Sequence, residues 1–450
     1  MPLTGIQIFK LLPRTNCGDC GVPTCLAFAM NLAAGKAELA LCPHVSEAAK
    51  AQLGEESAPP IRTVEIGVGP AAFKVGGETV LFRHEKTFFN KTALAIVVSD
   101  DEKPEDVDAK LERIKELAYN RVGLTLRADM VVVRSAGGDP AKFGALAKKV
   151  AAALDIAPAV MAAKPEVLRA GLEAFKDRKP LIHAADAGTL DACVALAKEF
   201  KAVLVVRGDG VAQTAALAEK AAAAGLGDIV LDTGARKLSR AVEDQVAIRR
   251  LAIWKKTRPV GFPTMVVASE IAGDPMKEAL VAATLVAKYA GIVALSDARG
   301  ETLFPVLLER LNIFTDPQRP MKTDQGIYEI NGPGKDSPVL ITSNFSLTYF
   351  IVAGEIESSR VPTWLAVLDT DGLSVLTAWA AGKFVGDAVG AFLKKSGIAD
   401  KLGARRLVLP GAVAIISGDV EEELGSSWQV KVGPREAAHI TPYLRQNFMG

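Results

Sequence analysis

The sequence predicts an α/β protein of three modules: a small cysteine-bearing N-terminal module, a central (β/α)8 TIM barrel and a C-terminal Rossmann-like α/β domain. Three observations carry this reading. Four of the five cysteines fall between residues 17 and 42 of a 450-residue chain. Eight apolar, β-prone runs alternate with helix-patterned segments from residue 93 onward. A stretch rich in proline, glycine and charge at 314–339 then breaks the rhythm, and further strand patterns follow it. The chain is too long for one ordinary core, so several domains are required.

Composition excludes several classes. Hydrophobic residues make up 49% and charged residues 23%, the balance of a soluble globular protein. Lys+Arg number 53 against 52 Asp+Glu, a formal charge of +1, so no basic field exists to recruit nucleic acid. The opening "MPLTGIQIFKLLPRTNCGDC" lacks the three-part pattern of a signal peptide. The uncharged run "SPVLITSNFSLTYFIVAG" at 337–354 carries Pro338, Thr342, Ser343, Asn344, Ser346 and Thr348, too polar for a membrane span. The expected compartment is the cytoplasm, where clustered thiols stay reduced and favour metal over disulfides.

The N-terminal module, 1–60, has the spacing C-x2-C-x4-C-x16-C at Cys17, Cys20, Cys25 and Cys42. Gly18 and Gly21 give the loop the freedom that converging thiolates need, and a helix-prone run from Leu26, interrupted by Gly35, returns the chain to Cys42. Structural zinc usually takes two C-x2-C pairs, and the second is absent. An iron-sulfur cluster fits best, in an apolar pocket with Leu26, Phe28 and Met30 as expected lining. His44 reads as a surface or outer-shell residue, and Cys193 as a buried core thiol.

Residues 61–92 read as a linker after the break "LGEESAPPIRT". The barrel, 93–325, places its strands at "ALAIVVSD", "ADMVVVRS", "PAVMAA", "PLIHAAD", "AVLVVRGD", "DIVLDTG", "TMVVASE" and "IVALSDARG", with helices near 104–120, 188–200 and 274–289. An open doubly wound sheet is the weaker alternative. In a barrel, function sits at the C-terminal strand ends, here Ser99, Asp100, Ser135, His183, Asp186, Arg207, Asp209, Asp232, Ser269, Glu270 and Asp297. No metal-ligand or nucleophile-base spacing joins them, so a docking or structural role is expected and no catalytic residue is assigned.

The last domain, 326–450, offers strands at "PVLITS", "WLAVLDT", "RRLVLPG" and "SWQVKVG", an open parallel sheet that binds ligands beyond its C-terminal edge. That edge carries "TSNFSLT", "DTDGLSVLT", "LPGA" and "VGPREA", where Asn344 and Gly411 join hydroxyls and small residues. Neither G-x-G-x-x-G nor a P-loop is present.

Taken together, the four cysteines, the eight-unit barrel, "ITSNFSLTYFIVAGEIESS" and "LAVLDTDGLSVLTAWAAGKF" resemble the large (gamma) subunits of corrinoid iron-sulfur proteins of the reductive acetyl-CoA (Wood-Ljungdahl) pathway, across the whole chain. The resemblance implies a 4Fe-4S cluster on Cys17, Cys20, Cys25 and Cys42 and a base-off cobamide on the C-terminal domain. It implies a heterodimer with a smaller subunit, and contacts with a methyltetrahydrofolate methyltransferase, CO dehydrogenase/acetyl-CoA synthase and a reductive activator. The implied role is methyl carriage: Co(I) accepts the methyl, methyl-Co(III) donates it, and the cluster re-reduces Co(II). Backbone groups around Thr342, Thr348, Gly372, Leu373, Ser374, Val375 and Ala437 would hold the corrin, with Ser374 nearest its lower face. D-x-H-x-x-G is missing: His439 is flanked by Ala437 and Pro442 where Asp and Gly would stand. An iron-sulfur oxidoreductase acting at the barrel mouth is the alternative function.

Overall fold

In the computed structural model, the described residues are 4–33, 37, 39–46, 49, 59–121, 124–316 and 318–449. The chain divides into two compact units, Met1–Leu81 with Phe89–Leu117 and Ala128–Ile313, and Phe82–Phe88 with Ala118–Arg127 and Phe314–Gly450.

In the first unit, the helix Gly5–Leu11 opens with a capping box between Thr4 and Gln7. The helix Cys25–Ala33 and a short 3-10 turn, Leu39–Leu41, follow. Gly35, expected to interrupt this run, lies outside the described residues.

Strands β1 (Val64–Ile66) and β2 (Phe73–Val75) pair antiparallel. The barrel uses β3 (Ala93–Ser99); β4 (Tyr119–Arg121) and β5 (Leu124–Leu126) pair antiparallel and are assigned to the second unit. The remaining barrel strands are β6 (Met130–Arg134), β7 (Ala157–Met161), β8 (Leu181–Ala185), β9 (Val203–Arg207), β10 (Ile229–Asp232), β11 (Met265–Val267) and β12 (Ile292–Leu295). Their order is β10-β9-β8-β7-β6-β3-β12-β11, every pair parallel, and a bridge from Leu231 to Thr264 joins the two ends. All eight expected runs are barrel strands.

Alternation along the strands sends Ala95, Val97, Val132, Ala159, Leu181, Val205, Val230 and Ala294 into one buried interior cluster. Burial of each larger aliphatic contributes roughly 1.5–3 kcal/mol. Val64, Ile66 and Val75 belong to the same cluster. Gly67 N donates to Lys179 O at 3.1 Å and Arg62 N to Gly261 O at 2.9 Å, both just ahead of barrel strands. Residues 61–81 are therefore not the bare linker expected; β1 and β2 plug the N-terminal end of the barrel. Cys193 is fully buried.

The second unit carries a five-stranded sheet in the order β13-β15-β14-β16-β17. Its strands are β13 (Gly326–Ile330), β14 (Val339–Ser343), β15 (Thr363–Leu368), β16 (Arg406–Leu409) and β17 (Gln429–Val432). The four expected strands are parallel; β13, unforeseen, pairs antiparallel with β15 at the edge. Helices Ser346–Ser359 and Ile440–Phe448 cover the face bearing Leu340, Leu365 and Val367. Helices Val375–Ala380, Gly386–Lys395 and Ser417–Leu424 cover the other, over Val339, Ile341 and Leu407. This is the Rossmann-like two-layer cover the pattern called for. No helix among the described residues is long and apolar enough to cross a membrane.

Candidate functional sites

The cysteine loop is wound by backbone that ordinary residues avoid. Gly18 and Gly21 sit at φ +80° and +79°, and Gly21 N donates to Gly18 O at 2.8 Å. Asn16 Oδ1 accepts from Cys25 N at 2.8 Å, tying the start of the loop to the helix that follows. Cys25 and Cys42 are buried with Phe28, Ala29 and Val45, and the half-buried Cys20 packs on the same cluster. Cys17 is exposed, and its thiol lies with ligand atoms of Asp19 and His44 inside a 4.8 Å group. All four thiols are free. The donor set fits a thiophilic metal group: soft ligands, three of them against one apolar wall, and flexible glycines between them.

Two lining residues are corrected. Leu26 and Met30 are exposed on the helix, 46% and 55%, so Phe28 with Ala29 supplies the apolar wall. His44 Nε2 lies 2.6 Å from Asp19 Oδ2, at the surface as expected. Hydrogen bonds from His44, then from the Cys17 thiol, hold the Asp19 carboxyl below its ordinary range.

At the C-terminal edge of the second sheet, Asn344 is the organiser. Its Nδ2 donates to Asp369 Oδ1 at 2.7 Å, while its Oδ1 accepts from Thr370 N at 2.9 Å, Thr370 Oγ1 at 3.0 Å and Gly372 N at 3.0 Å. The side chain is engaged inside the protein, where it fixes the loop of residues 369–372. Gly372, at φ +76°, has Pro320 O only 3.1 Å from where a Cβ would stand. Leu373 is half-buried, and its carbonyl accepts from Thr370 Oγ1. Ser374 precedes the helix at Val375, which is buried, and its hydroxyl meets Thr377 Oγ1 at 2.9 Å.

Gly411 lies where a Cβ would come 2.5 Å from Gly433 O, so the turns after β16 and β17 touch backbone to backbone. Thr348 is half-buried in the first turn of Ser346–Ser359, and Ala437 opens the 3-10 turn that packs beside that helix. Thr342 Oγ1 and Ser343 Oγ are buried without a hydrogen-bond partner. Sequence reasoning missed a further feature of this edge: Leu347, Ile351, Leu376 and Trp379, on the two helices that start here, are exposed. Their signal was present as apolar residues off the core-facing period of those helices. Buried orphan hydroxyls, a fixed glycine loop and exposed apolar groups suit a large, amide-fringed organic ring.

The barrel mouth is built from charge pairs. His183 Nε2 meets Asp232 Oδ2 at 3.0 Å, both residues 2% exposed. Burial pushes the Asp232 carboxyl up, but the His183 hydrogen bond and the charges of His183 and Arg236 outweigh it, leaving it below its ordinary range. Arg236 pairs with Glu270. Asp100 accepts from Ser135 Oγ at 2.7 Å and Ala136 N at 2.8 Å, Asp186 from Gly188 N and Thr189 N, and Asp297 from Arg113 and Arg299. Ser99 is buried, Ser269 lies in the turn after β11, and Arg207 and Asp209 are exposed at the rim. Most of these carboxylates are engaged by the scaffold rather than poised for chemistry.

Comparisons with known proteins match both the modules and their order. The family described as "CO dehydrogenase/acetyl-CoA synthase delta subunit" matches residues 63–444, and one described as "Putative Fe-S cluster" matches 12–44. The chain is 47% identical over 447 residues to the "Corrinoid/iron-sulfur protein large subunit" of Moorella thermoacetica, covering 99% of each. It is 35% identical to the "Acetyl-CoA decarbonylase/synthase complex subunit gamma" of Methanopyrus kandleri, covering 99% of this chain and 98% of that one. The gamma subunit of Methanosarcina acetivorans is 37% identical, with 98% of each covered. The first family carries a delta-subunit description, whereas these relatives, matched end to end with the cysteine module included, are large or gamma subunits.

Proposed function

Because the chain belongs to the family of corrinoid/iron-sulfur protein large (gamma) subunits, we propose that it is a methyl carrier with a 4Fe-4S cluster on Cys17, Cys20, Cys25 and Cys42 and a base-off cobamide on the C-terminal sheet edge. The observation that carries the reading is that edge, a fixed glycine loop with buried unpartnered hydroxyls at Thr342 and Ser343 and exposed apolar groups around it. When bound, the cobamide supplies a cobalt that takes a methyl group from methyltetrahydrofolate on a methyltransferase and yields it to acetyl-CoA synthase, and the cluster supplies the electron that restores Co(I) from Co(II).

The chain's own part is to hold and to leave room. Asn344 fixes residues 369–372 and Thr370 holds Leu373, so only the backbone groups from Gly372 to Val375 that these bonds leave over would meet the corrin amides, without reordering. Gly411 and Gly433 keep the neighbouring turns low, and Thr348 and Ala437 line the other side. No histidine is placed beneath the metal by a D-x-H-x-x-G motif, and His439 is exposed. A weak lower face favours the low oxidation states that methyl uptake needs. Leu347, Ile351, Leu376 and Trp379 offer apolar contact to the smaller subunit of the heterodimer. The methyltransferase, CO dehydrogenase/acetyl-CoA synthase and a reductive activator are its successive partners, in the cytoplasm.

A visible spectrum with iron and cobalt analysis of the purified protein tests this. Corrin bands with cobalt and about four irons per chain support it. Iron without cobalt supports an oxidoreductase instead, and zinc at the thiols overturns the cluster. Cys20→Ala is expected to abolish the reduced cluster's low-temperature resonance while the corrin bands remain.

A further inference from the structure

We propose that the mouth of the barrel is a binding site for a small molecule bearing a carboxylate or phosphate group, gripped by Arg134 and Arg207. This site lies outside the sulfur loop and the sheet edge, and does not depend on what they hold. Strand alternation carries the argument. Met130 and Val132 of β6 face the barrel interior, so Arg134, two residues on, faces it too; Val203 and Val205 of β9 place Arg207 likewise. Leu181 and Val230 do the same for His183 and Asp232. The interior is apolar along its length until this last inward layer.

The buried charges of this layer lose solvation and need a partner, whereas a charge at its rim stays open to a ligand. His183 and Asp232 have each other. The half-buried Arg134 side chain and the exposed Arg207 side chain make neither a hydrogen bond nor an ion pair among the described residues; their charges help to hold the carboxyls of Asp101 and Asp186 below the ordinary range. Both line a cavity of about 860 Å³, within the size range of small-molecule sites. A guanidinium matches a planar or tetrahedral oxyanion through paired N–H donors.

The surroundings narrow the ligand. Gly208 N donates to Asp232 O at 3.1 Å, and a Cβ on Gly234 would stand 2.6 Å from Gly208 O, so the turns after β9 and β10 lock together and fix the base of Arg207. Glu270 is neutralised by Arg236, but Asp186 and Asp209 remain on the wall. Their charge excludes a polyanion and suits a compact ligand of one or two negative charges. His183 Nε2 is occupied by Asp232, so only Nδ1 of that ring is left for a ligand.

The test is calorimetric titration of the full-length protein with inorganic phosphate and with malonate, at matched ionic strength. Saturable binding of either probe is expected, weakened about tenfold or more by Arg207→Gln and by Arg134→Gln, in line with losing a charge-assisted hydrogen bond. Lys176→Gln, at a different cavity, is expected to bind as the parent does. Tighter phosphate binding assigns a phosphate-bearing ligand, and tighter malonate binding a carboxylate. The proposal is overturned if neither probe saturates by about 10 mM, or if the arginine variants bind equally. Should a variant fold poorly, phenylglyoxal labelling of the unaltered protein decides: the bound probe must protect Arg134 and Arg207, and equal labelling with and without it sinks the site.

Discussion

The molecule presents two edges of parallel strands, and they are made rigid by opposite means. The barrel mouth is fixed by charge: His183 with Asp232, Arg236 with Glu270, Arg113 with Asp297. The buried layer at the edge of the second sheet is fixed by one neutral amide, Asn344, and by glycines whose turns touch, and the ion pairs Lys322–Asp369 and Lys383–Asp371 stand outside it on exposed side chains. Charge pairs leave a polar rim that water or a small ion can share. A neutral scaffold leaves amides and apolar groups free to meet a large ring, with no uncompensated charge beneath it.

Breaking the charged edge has the largest expected effect. Asp232→Ala leaves buried His183 without its partner, and losing one half of a buried pair costs about 3–5 kcal/mol, read from denaturant unfolding of the first unit. The corrin spectrum is expected to stay. A corrin signal that falls in step with barrel stability breaks the separation of the two edges. The same carboxylate sets an acid limb. Its pKa is lowered by folding from an unfolded value of about 3.9, so its stabilisation is complete above that value. It is lost as pH falls below about 4 through the folded value, and Asp232→Asn is expected to flatten that limb below about pH 4.

Asn344→Ala tests the neutral edge. It strands the amides of Thr370 and Gly372, at about 1–3 kcal/mol for each buried group left unpaired. The acid limb is expected to match that of the parent protein, and corrin retention to fall. Gly372→Ala follows at about 1–2 kcal/mol, from a left-handed backbone with Pro320 O close by. If its corrin content equals the parent's, the loop is not a binding surface.

How much of this was legible in the sequence depends on the length of the pattern. The barrel strands announced themselves because each is a buried run of several aliphatics. The plug strands β1 and β2 are three residues long, too short for alternation to register, and their Gly-rich surroundings read as linker. β13 was hidden by the prolines, glycines and charges around "QGIYEINGPG". The expected helix at 104–120 stops at Glu116, and Tyr119–Arg121 pairs instead as a strand with Leu124–Leu126. The thiols were visible as residue types. Asn344 was visible as a residue but not as a lock, because its three bonded partners lie 25 to 28 positions away and no spacing rule encodes them.

His439→Ala should have the smallest effect and bears most directly on the contrast between the edges. His439 is exposed, precedes the helix Ile440–Phe448 at φ −93°, and bonds to Glu436 O at 3.1 Å through its backbone, which alanine keeps. Stability is expected to change by no more than about 0.5 kcal/mol, as for an ordinary surface site. If the sheet edge is neutral beneath the metal, the cobalt(II) resonance of the variant has the same nitrogen splitting as the parent. A histidine that ligated cobalt would place a basic donor there, stabilise the higher oxidation states and work against reduction of the metal. A nitrogen coupling that disappears with the imidazole therefore removes the neutral edge itself, and with it the reason the two edges are built differently.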